Sequence, residues 1–196
     1  MRKIIVGAFV SMDGVMQAPG GADEDREGGF AHGGWTHQYW HDDIGAHFFG
    51  AMSETGALLL GRKTWQGHAG AFEPMAEGDP FGDVMNTMPK YVVSTTLTGA
   101  SAWRNSTLIK SNVVEEVRAL KAQDGKNIAI DGSSVLVHTL AQHDLVDEYS
   151  LLVYPLVLGS GKKLFAEGAR ANLRLIESRA FPSGVVLMRY AVERPA

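Results

Sequence analysis

The chain has 196 residues, within the usual size of one domain, so we predict that residues 1–196 form a single domain. With 45% hydrophobic and 20% charged residues, the composition is that of a globular protein with a sizeable core, which excludes a disordered chain. The formal net charge of −4 argues against a nucleic-acid partner, and the absence of cysteine excludes disulfides, thiolate metal sites and a cysteine nucleophile.

The first third of the chain begins with a strand and a long loop. "KIIVGAFV" at 3–10 is short and β-branched, which predicts a buried strand near the centre of a sheet. Asp13 interrupts the apolar run, which argues against a signal peptide or a membrane span and leads us to expect a cytoplasmic protein. Residues 15–36 contain many glycines and four acidic residues, so we expect a surface loop that acts as a lid.

The rest of the chain alternates between helices and strands. Apolar periodicity predicts a helix over 38–55 and the strand "ALLLG" at 57–61, whereas three prolines predict an irregular stretch over 68–89. The same patterns predict strands at 90–95, 107–110, 127–131 and 146–159, helices at 112–123 and 135–142, and a hairpin at 173–193. This alternation predicts an α/β fold with a mostly parallel central sheet and an antiparallel C-terminal hairpin.

The strand predicted at 146–159 bears on assembly. Pro155 breaks it, and proline within a sheet belongs at an edge or a bend. The segment "YSLLVYPLVLG" is strongly apolar, and an exposed apolar edge is prone to pair with another chain. We therefore expect a homodimer that covers this strand.

Three strand ends carry residues suited to binding phosphate: "GRKT" at 61–64, "STT" at 94–96 and "GSS" at 132–134. Glycine permits close approach of the backbone, arginine and hydroxyl groups donate hydrogen bonds, and a helix N-terminus attracts an anion. Each motif alone is typical of an ordinary turn or helix cap. Because ligands of parallel sheets bind at the carboxyl ends of the strands, the three together predict a dinucleotide groove. Arg62 and the hydroxyls would bind a ribose phosphate, and the turn at 132–134 the pyrophosphate.

The chain also resembles a known family. "LLLGRKTW", "KYVVSTTL", "LIKSNVVEEVRAL" and "IAIDGSSVLVHTLAQHDLVDEYSLLVYPLVLGSGKKLF" follow one another at the spacing of the dihydrofolate-reductase-like superfamily. The chain is most similar to the reductase domain of the riboflavin-biosynthesis deaminase-reductase and its stand-alone relatives, with "SMDG" as a further shared motif. The resemblance spans residues 3 to about 192 and implies a three-layer fold, an NADPH cofactor and a dimer.

The resemblance also implies roles for individual residues. The cofactor phosphates would be held by Gly61, Arg62, Lys63 and Thr64, the 2′-phosphate by Ser94 and Thr95, the adenosine end by Lys110, and the pyrophosphate by Gly132, Ser133, Ser134 and Val135. Many relatives have a second glycine where Ser133 stands, so the backbone approach there is expected to be less close. Contact through the serine hydroxyl would compensate.

The catalytic residue is not identified by the sequence. Asp42 and Asp43 lie on the helix that carries a carboxylate in dihydrofolate reductases, but their spacing to Gly61 does not match. Asp43 is therefore a weak catalytic candidate, with a role in the first turn of the helix as the alternative. Asp13 is a second weak candidate, and its alternative role is to form a turn before Gly14.

Aromatic and histidine residues cluster where the loop meets the helix predicted over 38–55. Trp35, Tyr39 and Trp40 either pack in the core or form a wall against a flat substrate, and the two roles are compatible. His37 and His41 have the i, i+4 spacing of two metal ligands, but no Glu-x-x-His motif accompanies them, so we predict no metal site.

Two functions follow from these observations. The first is an NADPH-dependent reductase acting on a small heterocycle, by resemblance a 5-amino-6-(5-phosphoribosylamino)uracil-like pyrimidine of riboflavin biosynthesis or a pterin. The alternative is a non-catalytic module of the same fold that binds nucleotide and serves as a sensor or assembly part. The intact "GRKT" and "STT" motifs favour the first, whereas the unmatched carboxylate favours the second.

Overall fold

The protein is built around one eight-stranded sheet. The computed structural model describes residues 1–75 and 77–194, so residue 76 and the end of the predicted domain at 195–196 lie outside the described residues. The strands, in chain order, are β1 (Ile4–Ser11), β2 (Thr55–Gly61), β3 (Lys90–Val93), β4 (Ser106–Ile109), β5 (Asn127–Ile130), β6 (Glu148–Tyr154), β7 (Asn172–Ala180) and β8 (Val186–Glu193). Their order across the sheet is β4-β3-β2-β5-β1-β6-β8-β7.

The sheet is mostly parallel, as predicted. The pairs from β4 to β6 are all parallel, whereas β8 runs antiparallel to both β6 and β7. β1 lies between β5 and β6, which confirms its predicted central position. The sheet therefore has an α/β part and an antiparallel C-terminal hairpin, in agreement with the predicted fold class.

Five α-helices in the described part of the chain cover the two faces of the sheet. They are α1 (Asp42–Ser53), α2 (Arg62–Phe72), α3 (Pro80–Thr87), α4 (Val113–Ala122) and α5 (Ser134–Gln142). Helices α4 and α5 pack on one face, and α1, α2 and α3 on the other. In β2, Leu59 points to the first layer and Leu58 and Leu60 to the second, because successive side chains of a strand alternate between its faces.

Two helices were not predicted. The stretch interpreted as irregular over 68–89 contains the second half of α2 and all of α3. Gly67 and Gly70 weaken the helical pattern of α2, and Pro80 stands at the first position of α3, where proline is tolerated. Conversely, the helix predicted over 38–55 begins only at Asp42, after a short 3-10 turn at His37–Tyr39. None of the described helices has the length and hydropathy of a membrane span.

Of the two positions predicted for Pro155, an edge or a bend, the structure has the bend, directly after an interior strand. β6 ends at Tyr154, before the proline, and is paired with β1 on one side and β8 on the other. The C-terminal hairpin adds two strands beyond β6, so the backbone edge of β6 is paired within the chain. The homodimer stays a prediction, without the support of an exposed β6 edge.

Candidate functional site

The three phosphate-compatible motifs lie side by side at one edge of the sheet. β3, β2 and β5 are neighbours, and Gly61 at the end of β2 pairs with Val93 at the end of β3. The N–H of Gly61 donates to the carbonyl oxygen of Gly132, which follows β5, at 3.1 Å. Sheet order therefore brings "GRKT", "STT" and "GSS" together, as the sequence predicted.

The turns after β2 and β5 are packed closely enough to require glycine. A Cβ atom on Gly61 would lie 2.4 Å from Ser133 Oγ and 3.0 Å from Ser133 Cβ. Gly132 has a φ of +140°, which L side chains rarely adopt, and a Cβ there would lie 2.9 Å from Thr64 Oγ1. The Gly132–Ser133 peptide bond is cis. The two turns therefore form a compact pair in which both glycines are buried.

Two helices begin at this pair of turns. α2 follows Gly61 and α5 follows Ser133, and within the described residues neither N-cap residue makes a side-chain capping bond. The first N–H groups of each helix are therefore left for an external acceptor, and the helix dipole favours a negative one. Uncapped N–H groups, close backbone and adjacent hydroxyls fit the phosphates of a dinucleotide.

The residues predicted for the 2′-phosphate occupy the β2 and β3 ends. Arg62 is partly buried, and its guanidinium donates to Gln66 Oε1 at 3.0 Å, which holds the side chain along α2. Thr95 is exposed. The Ser94 hydroxyl accepts hydrogen bonds from the backbone N–H groups of Thr96 and Leu97, both at 3.1 Å, so it also stabilises the turn after β3.

The other predicted cofactor residues surround the same edge. Lys110 is exposed immediately after β4, at the outer end of the groove. Val135 is 71% exposed in the first turn of α5, beside Ser134. Lys63 lies in the first turn of α2, where its ammonium donates to Glu27 Oε2 at 2.8 Å. This lysine thus has a carboxylate partner that the sequence did not predict.

Asp13 joins two loops. Its carboxylate accepts hydrogen bonds from the Ser11 hydroxyl at 2.6 Å and from the backbone N–H groups of Leu158 and Gly159 at 3.1 and 2.8 Å. These bonds, that of Ser11 foremost, lower the pKa of Asp13 to about 2. Such a carboxylate carries no proton near neutral pH, so the structure favours the turn-forming role over proton donation.

Asp43, the other weak catalytic candidate, lies at the start of a helix. Asp43 is exposed in the first turn of α1, and its backbone N–H donates to His41 Nδ1 at 3.2 Å. This is the position of its alternative, helix-stabilising role. His41 is therefore the cap of α1, and the ring of His37 bonds the carbonyl oxygen of Gly20.

The three aromatic residues separate into two environments. Trp35 is 5% exposed, and its indole N–H donates to the carbonyl oxygen of Gln17 at 2.8 Å. Trp35 and the half-buried Tyr39 pack edge-on against Tyr154, at 5.2 and 5.8 Å. Trp40 is 60% exposed. The structure thus favours the packing role for Trp35 and leaves Trp40, of the three, able to present a ring to a ligand.

The predicted lid is anchored rather than hinged. Residues 15–36 are irregular, as predicted, but Val15, Ala18, Phe30 and Trp35 are buried in one apolar cluster with β6 and α1. Two of its four acidic residues, Asp25 and Glu27, form ion pairs with Lys162 and Lys63. Burial and ion pairing fix the segment over the rest of the protein.

A pair of titratable residues beside the groove was missed by the sequence analysis. Asp131 follows β5 and immediately precedes Gly132, and its Oδ2 lies 3.4 Å from His68 Nε2 on α2. The opposite carboxylate oxygen lies beside β1, 3.5 Å from where a Cβ of Gly7 would stand. The imidazole of His68 packs edge-on against Phe72 at 5.5 Å. Both side chains are partly exposed.

Two signals in the sequence point to this pair. Asp131 ends the otherwise apolar "NIAID" at a strand terminus, where alternation places it opposite the buried Ile130. His68 comes four residues after Thr64, so both lie on one face of α2. The second signal is readable only when α2 is recognised as a helix.

Known proteins match this chain over almost its whole length. Residues 2–187 match the family model described as the RibD C-terminal domain. The uncharacterized protein YyaP of Bacillus subtilis is 31% identical over 195 residues, which cover 96% of this chain and 94% of the relative.

Solved structures share the fold at low identity. A Shewanella sp. PV-4 protein named for riboflavin biosynthesis superposes with a TM-score of 0.73 at 23% identity, covering 98% of this chain and 99% of the other. Dihydrofolate reductase from Enterococcus faecalis, complexed with NADP(H) and RAB-propyl, gives 0.62 at 16% identity, with 98% and 97% covered. These similarities confirm the dihydrofolate-reductase-like fold.

Proposed function

Because the chain belongs to the RibD C-terminal domain family, we propose that it is an NADPH-dependent reductase of a small heterocyclic substrate. Family membership and the dihydrofolate-reductase-like fold support a reductase-type function. The cofactor and the substrate class are the parts that this proposal adds.

One observation supports the cofactor most strongly: the interlocked turns at Gly61 and Gly132. A Cβ on either glycine would clash with Ser133 or Thr64, so the close packing of the turns requires both, and each turn opens a helix that has no side-chain cap among the described residues. The two helix starts are adjacent, because the N–H of Gly61 donates to the carbonyl oxygen of Gly132. Two adjacent helix N-termini suit the two phosphates of a pyrophosphate. Arg62, Ser94 and Thr95 at the neighbouring strand ends would bind the 2′-phosphate that distinguishes NADPH from NADH.

Bound NADPH supplies the hydride, and the protein supplies binding, orientation and a proton. Reduction of a ring C=N bond places the hydride on carbon and needs one proton on nitrogen. In this proposal His68 donates that proton from its protonated ring and is reprotonated from water, which its partial exposure permits. Asp131 orients the ring and stabilises its positive charge, and the adjacent Gly132 ties this pair to the cofactor turn.

The substrate class rests on the chemistry of the His68–Asp131 pair and of Trp40. The pair offers a partly exposed imidazole and carboxylate, and Trp40, just before α1, offers an exposed indole. A flat, polar ring with hydrogen-bonding nitrogens matches a carboxylate, an imidazole and an indole face. A pyrimidine or a pterin has this chemistry.

The direct experiment is to follow NADPH oxidation spectrophotometrically with a panel of pyrimidines and pterins. We expect turnover with at least one of them and product carrying deuterium when the cofactor is deuterated at the transferred position. Tight NADPH binding without turnover across the panel would instead support a non-catalytic nucleotide-binding module.

Variants of the His68–Asp131 pair test the proton source. We expect His68→Gln to lower kcat about 100-fold and Asp131→Asn to lower it less, because general acid catalysis contributes at least about that factor. The Kd for NADPH should stay within about twofold, since neither side chain is assigned to the phosphates. His143→Gln, at an exposed histidine after α5, is the control and should leave kcat unchanged. Equal kcat values for His68→Gln and the control would exclude His68 as the donor.

A further inference from the structure

Two carboxylates of the loop between β1 and α1 form ion pairs with lysines from two other parts of the chain. Glu27 Oε2 lies 2.8 Å from Lys63 Nζ, and Asp25 Oδ2 lies 2.5 Å from Lys162 Nζ. Lys162 also bonds Glu27, and Lys63 lies 3.9 Å from Asp25. We name residues 25–27 the latch.

The latch is attached more firmly on the Lys162 side than on the Lys63 side. The buried Gln17 amide donates to the carbonyl oxygens of Asp25 and Glu27, at 3.1 and 3.0 Å. The Oε1 atom of Gln17 accepts from the backbone N–H of Lys162 at 2.9 Å. Backbone and side-chain bonds thus join the latch to Lys162, whereas Lys63 contacts the latch through side chains.

Lys63 lies at the candidate phosphate site. It is the second residue of α2, whose first-turn N–H groups lack a side-chain cap among the described residues. The bonds from Lys162 and Lys63 lower the pKa of Glu27 to about 2, so the latch is ionised throughout the neutral range. The Glu27 carboxylate is therefore paired with the ammonium of Lys63, in the first turn of this helix.

We propose that the latch is an autoinhibitory contact, in which Glu27 holds Lys63 until a cofactor phosphate displaces it. The inference rests on the proposed function, because it needs a phosphate at the start of α2. A phosphate brings more charge than a carboxylate and is also attracted by the helix N-terminus, so the exchange is favourable. After the exchange, Lys162 still pairs with Asp25 and Glu27, so the latch keeps a positive partner.

The first experiment measures the Kd for NADPH by calorimetry in Glu27→Gln and wild type. Removing the competing carboxylate should tighten NADPH binding about three- to fivefold, the range expected from one exposed ion pair. The control is Asp23→Asn, which removes one negative charge from the same loop but pairs with Arg26. It should change the Kd by less than about twofold, because distant exposed charges are screened by salt.

The second experiment uses a substitution with the opposite sign. Lys162→Gln leaves Asp25 and Glu27 with Lys63 as their remaining cation in the network, so the exchange becomes harder and NADPH binding should weaken about twofold or more. Lys163→Gln, at the exposed neighbouring residue, is the charge-matched control and should have a smaller effect.

The outcomes separate the two hypotheses. Tighter binding for Glu27→Gln with weaker binding for Lys162→Gln supports the latch. NADPH binding that is tight and equal in wild type, Glu27→Gln and Asp23→Asn overturns the latch and leaves the proposed function standing. Absence of NADPH binding in every variant overturns both.

Discussion

Replacing Gly61 with alanine should lower the affinity for NADPH about tenfold or more. The φ of −72° at Gly61 is accessible to any residue, so the effect is steric rather than conformational. The added Cβ would lie 2.4 Å from Ser133 Oγ and 3.2 Å from the Ser133 backbone nitrogen. Overpacking of this kind raises the free energy of the packed turns by about 1–3 kcal/mol. If the turns move apart to avoid it, NADPH binding must restore their contact, and 1.4 kcal/mol corresponds to about a tenfold change in Kd. Calorimetric titration with NADPH measures the loss.

A second-site substitution and a control define the cause. In Gly61→Ala/Ser133→Gly the atoms that clash most closely are removed, so much of the affinity should return. Gly70→Ala adds the same methyl group on α2 where nothing lies within 4 Å, and it should bind NADPH as wild type does. Wild-type affinity in Gly61→Ala would show that the two turns need not stay in contact for cofactor binding.

Replacing Lys90 with methionine should destabilise the protein by about 3 kcal/mol. The side chain is fully buried, and its ammonium donates to the carbonyl oxygens of Asn86, Met88 and Arg104 at 3.0, 2.8 and 3.0 Å. It also lies 4.4 Å from the centre of the Trp103 ring. Methionine fills the space but leaves the buried carbonyl oxygens without this donor. Each buried acceptor left unpaired lowers the free energy of unfolding by about 1–3 kcal/mol. For a chain of this size the melting temperature should fall by about 6–12 °C.

The stability difference between wild type and Lys90→Met should depend on pH. Burial lowers the pKa of Lys90 from 10.5 to about 8, so between these values the unfolded chain binds more protons than the folded one. The cost of burying the charge is fully present below pH 8 and is relieved as pH rises towards 10.5. Chemical denaturation at pH 7 and pH 9.5 should therefore give a larger difference at the higher pH.

A lysine at the surface provides the comparison for Lys90. Lys3→Met removes the same charge from an exposed residue just before β1 and should change the melting temperature little. If Lys90→Met proves as stable as wild type, the cost of burying the ammonium equals what its three hydrogen bonds contribute.

The elements that the sequence predicted well have a local signal. Strands β1, β2 and β3 are short apolar runs that end at or just before glycine or serine, and the C-terminal hairpin is marked by its Pro-Ser-Gly turn. Helix α2 lacks such a signal, because Gly67 and Gly70 lower its helix propensity and Arg62 begins it directly after a strand. The interior position of β6 depends on β8, which lies more than thirty residues later, and no local pattern reports that pairing.

The residues of the candidate site were likewise predictable only where a local sequence signal marks them. The phosphate-compatible strand ends were predictable, since parallel strands must end at one edge and each end carries its own motif. The pairs Glu27–Lys63 and His68–Asp131 join residues 36 and 63 positions apart, so only the folded chain brings them together. Trp35 was ambiguous for another reason: the same aromatic side chain suits a core and a ligand wall.

The most direct test of the account is a calorimetric comparison of NADPH with NADH on the wild-type protein. If Arg62, Ser94 and Thr95 bind the 2′-phosphate, NADPH should bind at least about tenfold more tightly, because charge-assisted hydrogen bonds contribute about 1.5–3 kcal/mol each. Arg62→Gln should reduce this preference and leave the Kd for NADH nearly unchanged. Equal dissociation constants for the two cofactors, or no binding of either, would contradict the assignment of the strand-end groove as an NADPH site.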